Sequence, residues 1–386
     1  MSKLIYSLRR SRFSKSLTFF LLGVVSVITV YTSALLPAQS LNKQPQVIPD
    51  NVTFGQNYLV NRDDHNLDEA VTTLALSSTK INWTTVARSP IARSETASAT
   101  VDGKLYVFGG FVKSTVNPIP RPISRSDVYN PANNTWTRIA DLPNGLTHTA
   151  TAVDGRNIYL AGGYPAKPGG GQRYATTAVW RYNVDTNTWL AMPSLPQARG
   201  GGALERLGRQ LHFFGGSDIN RADKNNHWVL SLDNGTKWVA ATGLPNPVNH
   251  LGSAAVSGKI YAIGGQRGQD RELVTQSTVY RWEPAKQNWT QVARLPSPRS
   301  HIADATFVID GRIIVAGGEI VHGKSVATVT AYNPLSNSWQ ALTPLPVPLH
   351  SGAARSIRNQ IFYTAGNDKG FFKTTTYKGV PVQVAA

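Results

Sequence analysis

Six of the nine tryptophans in this chain recur at intervals of about 50 residues, and each of the six is followed seven residues later by a proline. A pair of residues repeated at one fixed offset over most of a chain indicates a structural unit that is itself repeated. Such a repeat restricts the fold to solenoids, arrays and propellers, so it has to be interpreted before any local motif. The pairs are Trp83 and Pro90, Trp136 and Pro143, Trp189 and Pro196, Trp238 and Pro245, Trp289 and Pro296, and Trp339 and Pro346.

Glycine doublets are a second, independent marker that recurs about every 50 residues. Each doublet follows a short run of β-branched and aromatic residues, as at residues 105–108 and 260–263. Runs of this kind, bounded by turn residues, are typical of buried strands. The doublets are Gly109-Gly110, Gly162-Gly163, Gly215-Gly216, Gly264-Gly265 and Gly317-Gly318, with a degenerate sixth at Ala365-Gly366.

Turn residues and a further aromatic position divide each unit into strands. Dipeptides such as Asp102-Gly103 predict tight hairpins, because glycine supplies the positive φ that these turns need. An aromatic residue seven positions before the tryptophan marks a third strand, and the tryptophan marks a fourth. These aromatic residues are Tyr129, Tyr182, Trp282 and Tyr332. The unit is therefore predicted to be four antiparallel strands.

The tyrosine-to-tryptophan half of the unit resembles the kelch motif. It runs from Tyr129 to Trp136 and from Tyr332 to Trp339, and in both cases Asn-Pro follows the tyrosine. The third unit departs most, since Ser-Leu stands at residues 231–232, in the tyrosine region. The resemblance implies an all-β, kelch-type propeller, in which a ring of blades buries the apolar sheet faces against one another.

The ends of the repeat region predict how the ring closes. A third strand is expected near residues 374–378 with no tryptophan-bearing fourth strand after it, whereas Trp83 is a fourth strand without its first three. We therefore predict that residues 81–86 complete the last blade and that residues 81–386 form a closed, six-bladed propeller with no free sheet edge. The alternative is an open ring of seven incomplete blades.

A basic and then apolar segment precedes the repeats. Residues 1–16 carry five basic residues and no acid, and residues 17–36 are mostly apolar. This stretch is long enough to cross the hydrocarbon core as a helix. We expect residues 1–38 to contain this hydrophobic helix, either as a cleaved signal peptide or as a membrane anchor, and residues 39–80 to be a flexible linker. The propeller would then be exported to the periplasm or the extracellular space, anchored through residues 17–36 if the segment is retained.

Composition excludes several classes of chemistry. The 386 residues include no cysteine, which rules out disulfide scaffolds, cysteine-based zinc sites and cysteine nucleophiles. Galactose oxidase, a copper-containing propeller enzyme, uses a cysteine–tyrosine crosslink, so its activity is excluded as well. The formal net charge of +17 favours an acidic partner. Nucleic acid is not expected, because no recognised nucleic-acid-binding module is present.

Basic and imidazole side chains recur where each unit enters its first strand. One interpretation is that, together with Arg267 from a loop, they bind carboxylate, sulfate or phosphate near the central channel. A second interpretation, which we favour, is that they bond carbonyls of neighbouring blades and cap strand ends. No paired ligand spacing is present, so no metal and no cofactor are predicted. The residues are Arg93, His148, Arg199, His250, Arg299, His301 and His350.

Acidic residues in the loops after the second strands are the candidates for acid–base catalysis. Glu319, Glu272 and Asp218 lie there among arginines. The run from Gly317 to Lys324 is similar to a stretch in exported, kelch-type sialic acid mutarotases, and this resemblance implies a mutarotase or epimerase activity. The alternative is that Glu319 pairs with a neighbouring arginine.

The sequence thus predicts an exported kelch-repeat binding module that presents a basic loop face to an anionic glycan or to an acidic exported protein. One alternative is an enzyme, a mutarotase or epimerase of acidic sugars, and another is an envelope scaffold protein. Whether the chain is an enzyme stays open, because the propeller fold hosts many functions. The basic loop residues are Arg121, Lys167, Arg173, Arg221, Arg267, Arg271, Lys324 and Lys369.

Overall fold

The structure, a computed structural model, describes residues 79–113 and 119–382. These residues form six antiparallel sheets, each built on a path of four strands, together with short two-stranded ribbons. In blades 1–5 the strands are neighbours in chain order, so each blade is a meander. The first strands of successive blades contact one another around a closed ring. The prediction of an all-β, six-bladed propeller is confirmed.

The blades are numbered in the order of their first strands. Their strands, from first to fourth, are Ala97–Val101, Lys104–Phe108, Ser126–Asn130 and Thr135–Ile139 in blade 1; Ala150–Asp154, Asn157–Ala161, Val179–Asn183 and Thr188–Ala191 in blade 2; Gly200–Leu207, Gln210–Ser217, His227–Ser231 and Val239–Ala241 in blade 3; Gly252–Val256, Lys259–Ile263, Val279–Glu283 and Asn288–Val292 in blade 4; Thr306–Ile309, Arg312–Ala316, Val329–Asn333 and Ser338–Leu342 in blade 5; and His350–Ile357, Gln360–Asp368, Thr376–Pro381 and Ile81–Val86 in blade 6. The short strands are Phe111–Val112, Arg121–Pro122, Leu146–Thr147, Tyr164–Pro165, Gln266–Arg267, Val274–Thr275, Glu319–Val321, Lys324–Ser325 and Phe371–Phe372, and the 3-10 helices are Asp270–Glu272 and Ala303–Ala305.

Blade 6 is completed from the other end of the domain. The strand Ile81–Val86 pairs antiparallel with Thr376–Pro381, which places Trp83 opposite Gly379. The sheet therefore combines three strands from the end of the domain with one from its beginning. The closure expected from the sequence is confirmed, and an open ring of seven blades is excluded.

The repeat tryptophans tie each blade to the one before it. The indole N–H of Trp136 donates to the carbonyl of Ala87 at 2.9 Å, and that of Trp289 donates to the carbonyl of Thr242 at 3.1 Å. All six repeat tryptophans make this kind of bond to the preceding blade. A large apolar ring with one polar tip suits this position, because it covers the gap between blades and still bonds a carbonyl.

The glycine doublets contact the same junctions between blades from the preceding blade. The second glycine of each pair donates its N–H to a carbonyl of the chain entering the next blade, as Gly163 does to Arg199 at 2.8 Å. A Cβ on the first glycine, Gly162, would lie 2.5 Å from that same carbonyl oxygen. Gly162 also has a φ of +66°. The close approach of two blades therefore requires glycine here.

Residues 1–38, predicted to contain the N-terminal helix of a signal peptide or anchor, lie outside the described residues. Residues 39–78 of the predicted linker lie outside them as well. In the two described ranges the helices are three-residue 3-10 turns. Neither range contains a helix with the length and hydropathy that crossing a membrane demands.

Candidate functional site

One residue from each blade stands at the point where the chain turns into the first strand, and together we call these six residues the axial ring. Their φ angles are all positive, between 50° and 63°. Main-chain N–H groups link five of the six neighbouring pairs, as where His250 donates to the carbonyl of Gly201 at 2.7 Å. The ring residues are Glu95, His148, Gly201, His250, His301 and Ser351.

A constant offset identifies the axial ring in the sequence. Every member stands five residues after the repeat proline, as Glu95 does after Pro90. The prediction from the sequence missed Glu95, Gly201 and Ser351, because it searched for basic and imidazole residues rather than for one offset. The predicted set also mixed residues from three positions of the repeat. His148 stands at the ring position itself, Arg93 precedes the ring position by two residues, and His350 precedes it by one.

The three arginines of the predicted set are buried and bonded within the protein. Arg93 is 0% exposed, and its guanidinium lies 2.8 Å from the buried carboxylate of Asp127. Arg199 and Arg299 are also buried and donate to main-chain carbonyls at 2.8 and 2.9 Å. Burial lowers the pKa of Arg93 and Arg299 to about 10, which leaves both charged at neutral pH. Because these groups are enclosed and bonded to protein, we leave them out of the proposed ligand site.

The histidines, by contrast, converge on the axis. The ring centres of His148 and His250 are 4.8 Å apart, those of His250 and His301 are 4.4 Å apart, and those of His301 and His350 are 5.5 Å apart. Burial lowers the pKa of His148 and His250 to about 3 and holds the pKa of His301 well below its usual value. These imidazoles are therefore neutral at neutral pH, with nitrogen lone pairs available.

Glu319 reaches this cluster from the loop after the second strand of blade 5. Its two carboxylate oxygens lie 3.2 Å from His301 Nδ1 and 3.3 Å from His350 Nε2. Burial raises the pKa of Glu319 to about 7. In the described part of the chain the ionisable groups within ion-pair distance of Glu319 are these histidines, so the alternative of an arginine partner is not found there.

Glu95 brings a second carboxylate to the same cluster. Its oxygens lie 3.6 Å from His148 Nε2 and 3.8 Å from His301 Nε2. The hydroxyl of Ser351, the ring residue of blade 6, donates to the Glu95 carboxylate. The axial ring and its neighbours therefore bring four imidazoles and two carboxylates together from five blades.

A cleft of about 450 Å³ opens above this cluster on the face formed by the second-to-third-strand loops. Glu95, His148 and His350 are among its lining residues. Aromatic side chains also line it, namely Phe111, Tyr174 and Phe372.

Cations border the cleft. Lys113 lines it, and its ammonium lies 4.9 Å from the centre of the Phe372 ring and donates to the carbonyl of Gly370 at 3.0 Å. The Arg221 guanidinium lies 4.6 Å from the centre of the Tyr174 ring. A cleft with aromatic walls, polar groups and cations at its border is suited to a polar, negatively charged ligand.

The other predicted site residues are not among those that line the cleft. Arg267 is half-buried beside a pocket of only about 10 Å³. Glu272 is exposed in the 3-10 helix Asp270–Glu272. Burial pushes the pKa of Asp218 up, but the Lys224 ammonium at 2.9 Å and two main-chain N–H groups outweigh this effect and hold it below its usual value.

The first strands line a central channel of about 220 Å³, and the sequence did not predict its charged lining residues. Arg355 and Asp304 form an ion pair in it at 2.7 Å, and Glu205 accepts a hydrogen bond from the hydroxyl of Ser253 at 2.6 Å. Burial raises the pKa of Asp304 to about 6 and that of Glu205 to about 7. These residues stand within strands or a 3-10 turn at positions that the repeat does not mark.

Comparison with protein families agrees with this architecture. The family profile described as the KLHDC2/KLHL20/DRC7 Kelch-repeats domain matches residues 147–366, and the Kelch motif matches residues 92–143. The solved structure of YjhT superposes with a TM-score of 0.60 at 18% identity, covering 68% of this chain and 88% of that one. At this identity the superposition shows the fold alone.

Curated relatives carry the same repeats. A kelch repeat-containing protein of Arabidopsis thaliana is 24% identical over 75% of this chain and 72% of its own length. Kelch-like protein terF of Aspergillus terreus is 27% identical over 71% of this chain and 61% of its own length. Kelch-like protein 35 of Mus musculus is 27% identical over 67% of this chain, which spans 41% of that relative. The family profile covers more than half of the chain, and the six blades carry its markers: the chain belongs to the kelch-repeat family.

Proposed function

We propose that this protein is an exported binding module that takes an acidic sugar residue of an anionic glycan into the loop-face cleft. The observation that carries the proposal is the cleft itself, because its volume of about 450 Å³ falls in the range of small-molecule sites. Its walls combine apolar rings with polar groups, which is the composition that orients a polar ligand.

The chemistry of the cleft matches the parts of an acidic sugar. The rings of Phe111 and Phe372 offer apolar faces to the C–H groups of a pyranose. Neutral His148 can exchange hydrogen bonds with hydroxyls, since a neutral imidazole has one donor and one acceptor. Lys113 supplies positive charge for a carboxylate, whereas the Arg221 guanidinium beside Tyr174 is already paired with Asp270.

The first experiment compares an acidic and a neutral glycan of otherwise similar structure. Calorimetric titration of the purified full-length protein should show binding of sialyllactose and at least a tenfold weaker affinity for lactose. Higher salt should weaken the binding of sialyllactose, because exposed charges are screened. Equal affinities for the two glycans, or no binding of any acidic sugar, would refute the proposal and favour an acidic protein as the partner of this face.

Two matched pairs of variants locate the site. Phe372→Ala removes a lining ring, whereas Phe371→Ala removes a ring that is 71% exposed and does not line the cleft. Lys113→Ala removes the lining cation, whereas Lys237→Ala removes an exposed lysine of blade 3. We expect the first variant of each pair to lose at least fivefold in affinity and the second to stay within twofold. Equal effects within both pairs would place binding elsewhere.

A mutarotase or epimerase acting on acidic sugars is the second candidate. The contact between Glu319 and His350 favours it, since His350 also lines the cleft. A carboxylate and an imidazole in contact can move protons to and from a bound sugar. Anomer exchange of N-acetylneuraminate, followed by NMR, tests this candidate: acceleration should be lost in Glu319→Gln and kept in Glu272→Gln. No acceleration by the unmodified protein would reject it.

A further inference from the structure

We infer that the axial ring binds one divalent transition-metal ion between Glu95, His250 and His301. One donor atom from each of these residues lies within 4.8 Å of the other two. Bonds of about 2.0–2.2 Å to imidazole and carboxylate require only a small inward movement of the three side chains. Two imidazoles and one carboxylate form a donor set that zinc and other divalent first-row metals accept, with further coordination positions left open.

The two imidazoles are held in the orientation that metal binding needs. His250 Nδ1 contacts the side-chain oxygen of Asn249, and His301 Nδ1 lies 3.0 Å from the hydroxyl of Ser300. A hydrogen bond from Nδ1 leaves the lone pair on Nε2, and metal-bound histidines commonly have such a partner on the other nitrogen.

Glu319 supplies a second partner for His301. Its buried Oε2 lies 3.2 Å from His301 Nδ1, and within the described ranges no other donor bonds to this oxygen. A carboxylate behind a ligating imidazole fixes the tautomer and raises the basicity of the ligand. Glu95 is held in place as well, because the Ser351 hydroxyl donates to its carboxylate.

The backbone conformation of the three ligand residues is also unusual. All three stand in the left-handed region, with φ of 53° at Glu95, 50° at His250 and 56° at His301. Such conformations are costly for residues other than glycine and persist where the surrounding structure holds them, often at functional sites. A cavity of about 20 Å³ lined by the three residues has room for about one water-sized atom.

The small cavity borders both the cleft and the central channel: it shares Glu95 and His148 with the lining of the cleft and Thr149, Gly202, Ala303 and Asp304 with the lining of the channel. A metal here would add a positive charge beneath a bound carboxylate. The inference does not depend on the glycan proposal, since metal binding is measured without any sugar.

The test is metal binding by the full-length protein after treatment with a chelator. Zn²⁺ added to this protein should remain bound at one ion per chain after gel filtration, as measured by elemental analysis. Bound Zn²⁺ should raise the unfolding temperature, because a ligand that binds only the native state stabilises it. Co²⁺ in place of Zn²⁺ should give a visible absorption band, which reports coordination directly.

His250→Asn and His301→Asn remove one ligand each, and asparagine tolerates the left-handed conformation that these positions require. Either change should weaken Zn²⁺ binding at least 100-fold, while His322→Asn, which removes an exposed histidine, should change it less than twofold. Glu95→Gln should weaken it about tenfold. Absence of stoichiometric binding by the unmodified protein, or undiminished binding by both histidine variants, would overturn the inference. If a variant fails to fold, the Co²⁺ spectrum of the unmodified protein decides between these outcomes.

Discussion

Trp83 lies directly across the sheet from Gly379, and its indole occupies the space that a side chain at position 379 would need. A Cβ built on Gly379 would stand 2.6 Å from Trp83 Cζ3. This contact joins the first and the last long strands of the propeller, so it closes the ring.

Gly379→Leu should therefore loosen the closing strand. We expect a loss of about 2 kcal/mol in the free energy of unfolding, since added side-chain volume at a packed position forces its neighbours to move. Urea unfolding measures the loss. Val380→Leu is the matched control, because Val380 is 38% exposed on the same strand. Equal stabilities of the two variants would show that this contact does not hold the ring closed.

Arg93→Ala should destabilise the fold rather than remove a ligand contact. Arg93 and Asp127 are both 0% exposed, and removing one partner of a buried pair costs about 3–5 kcal/mol. Arg125 still contacts Asp127, which favours the lower end of this range. Arg138→Ala breaks an exposed pair with Asp141 and should leave the stability nearly unchanged. Unfolding curves that coincide for the two variants would contradict the structural role of Arg93.

Asn187→Ala should destabilise blade 2 at its outer turn. Asn187 has a φ of 52°, and its side-chain oxygen accepts hydrogen bonds from the Tyr182 hydroxyl at 2.7 Å and the Ala140 N–H at 2.8 Å. Alanine loses both bonds and disfavours this φ, so we expect a cost of about 2 kcal/mol. Asn187→Gly loses the bonds but accepts the φ, and thermal unfolding should show a smaller loss. If the glycine variant is no more stable than the alanine variant, the backbone conformation at position 187 contributes nothing to stability.

Glu205 should make stability depend on pH. Burial raises its pKa to about 7, against the attraction of Arg355 and the hydrogen bond from Ser253. The folded state therefore holds a proton that the unfolded state releases near its ordinary value of 4.5. The resulting stabilisation is complete below pH of about 4.5, declines as pH rises, and is lost above about 7.

Glu205→Gln removes this titration. Compared with the unmodified protein, the variant should show a flatter profile of unfolding free energy between these two pH values, measured by urea unfolding at a series of pH. Glu272→Gln, at an exposed residue, serves as the control and should keep the original slope. A slope that survives in Glu205→Gln belongs to another group, and Asp304 in the same channel would be the next to test.

The residue types of the sequence determined the blades, their number and the closure of the ring. The tryptophans and the glycine doublets recur because every junction between blades needs the same two bonds, as those of Trp136 and Gly163 show. A contact that is repeated at every junction leaves a period in the sequence, and a period can be recognised without a structure.

Only the tertiary structure decided which candidate residues meet. Arg93 and Glu95 are two positions apart, yet Arg93 is enclosed beside Asp127 whereas Glu95 lies on the axis. Position within the repeat tells how far along a blade a residue stands. The closing of the ring decides which side chains converge, because that step brings residues far apart in the chain to one point. Glu95 of blade 1 meets His250 and His301 of blades 4 and 5 in this way.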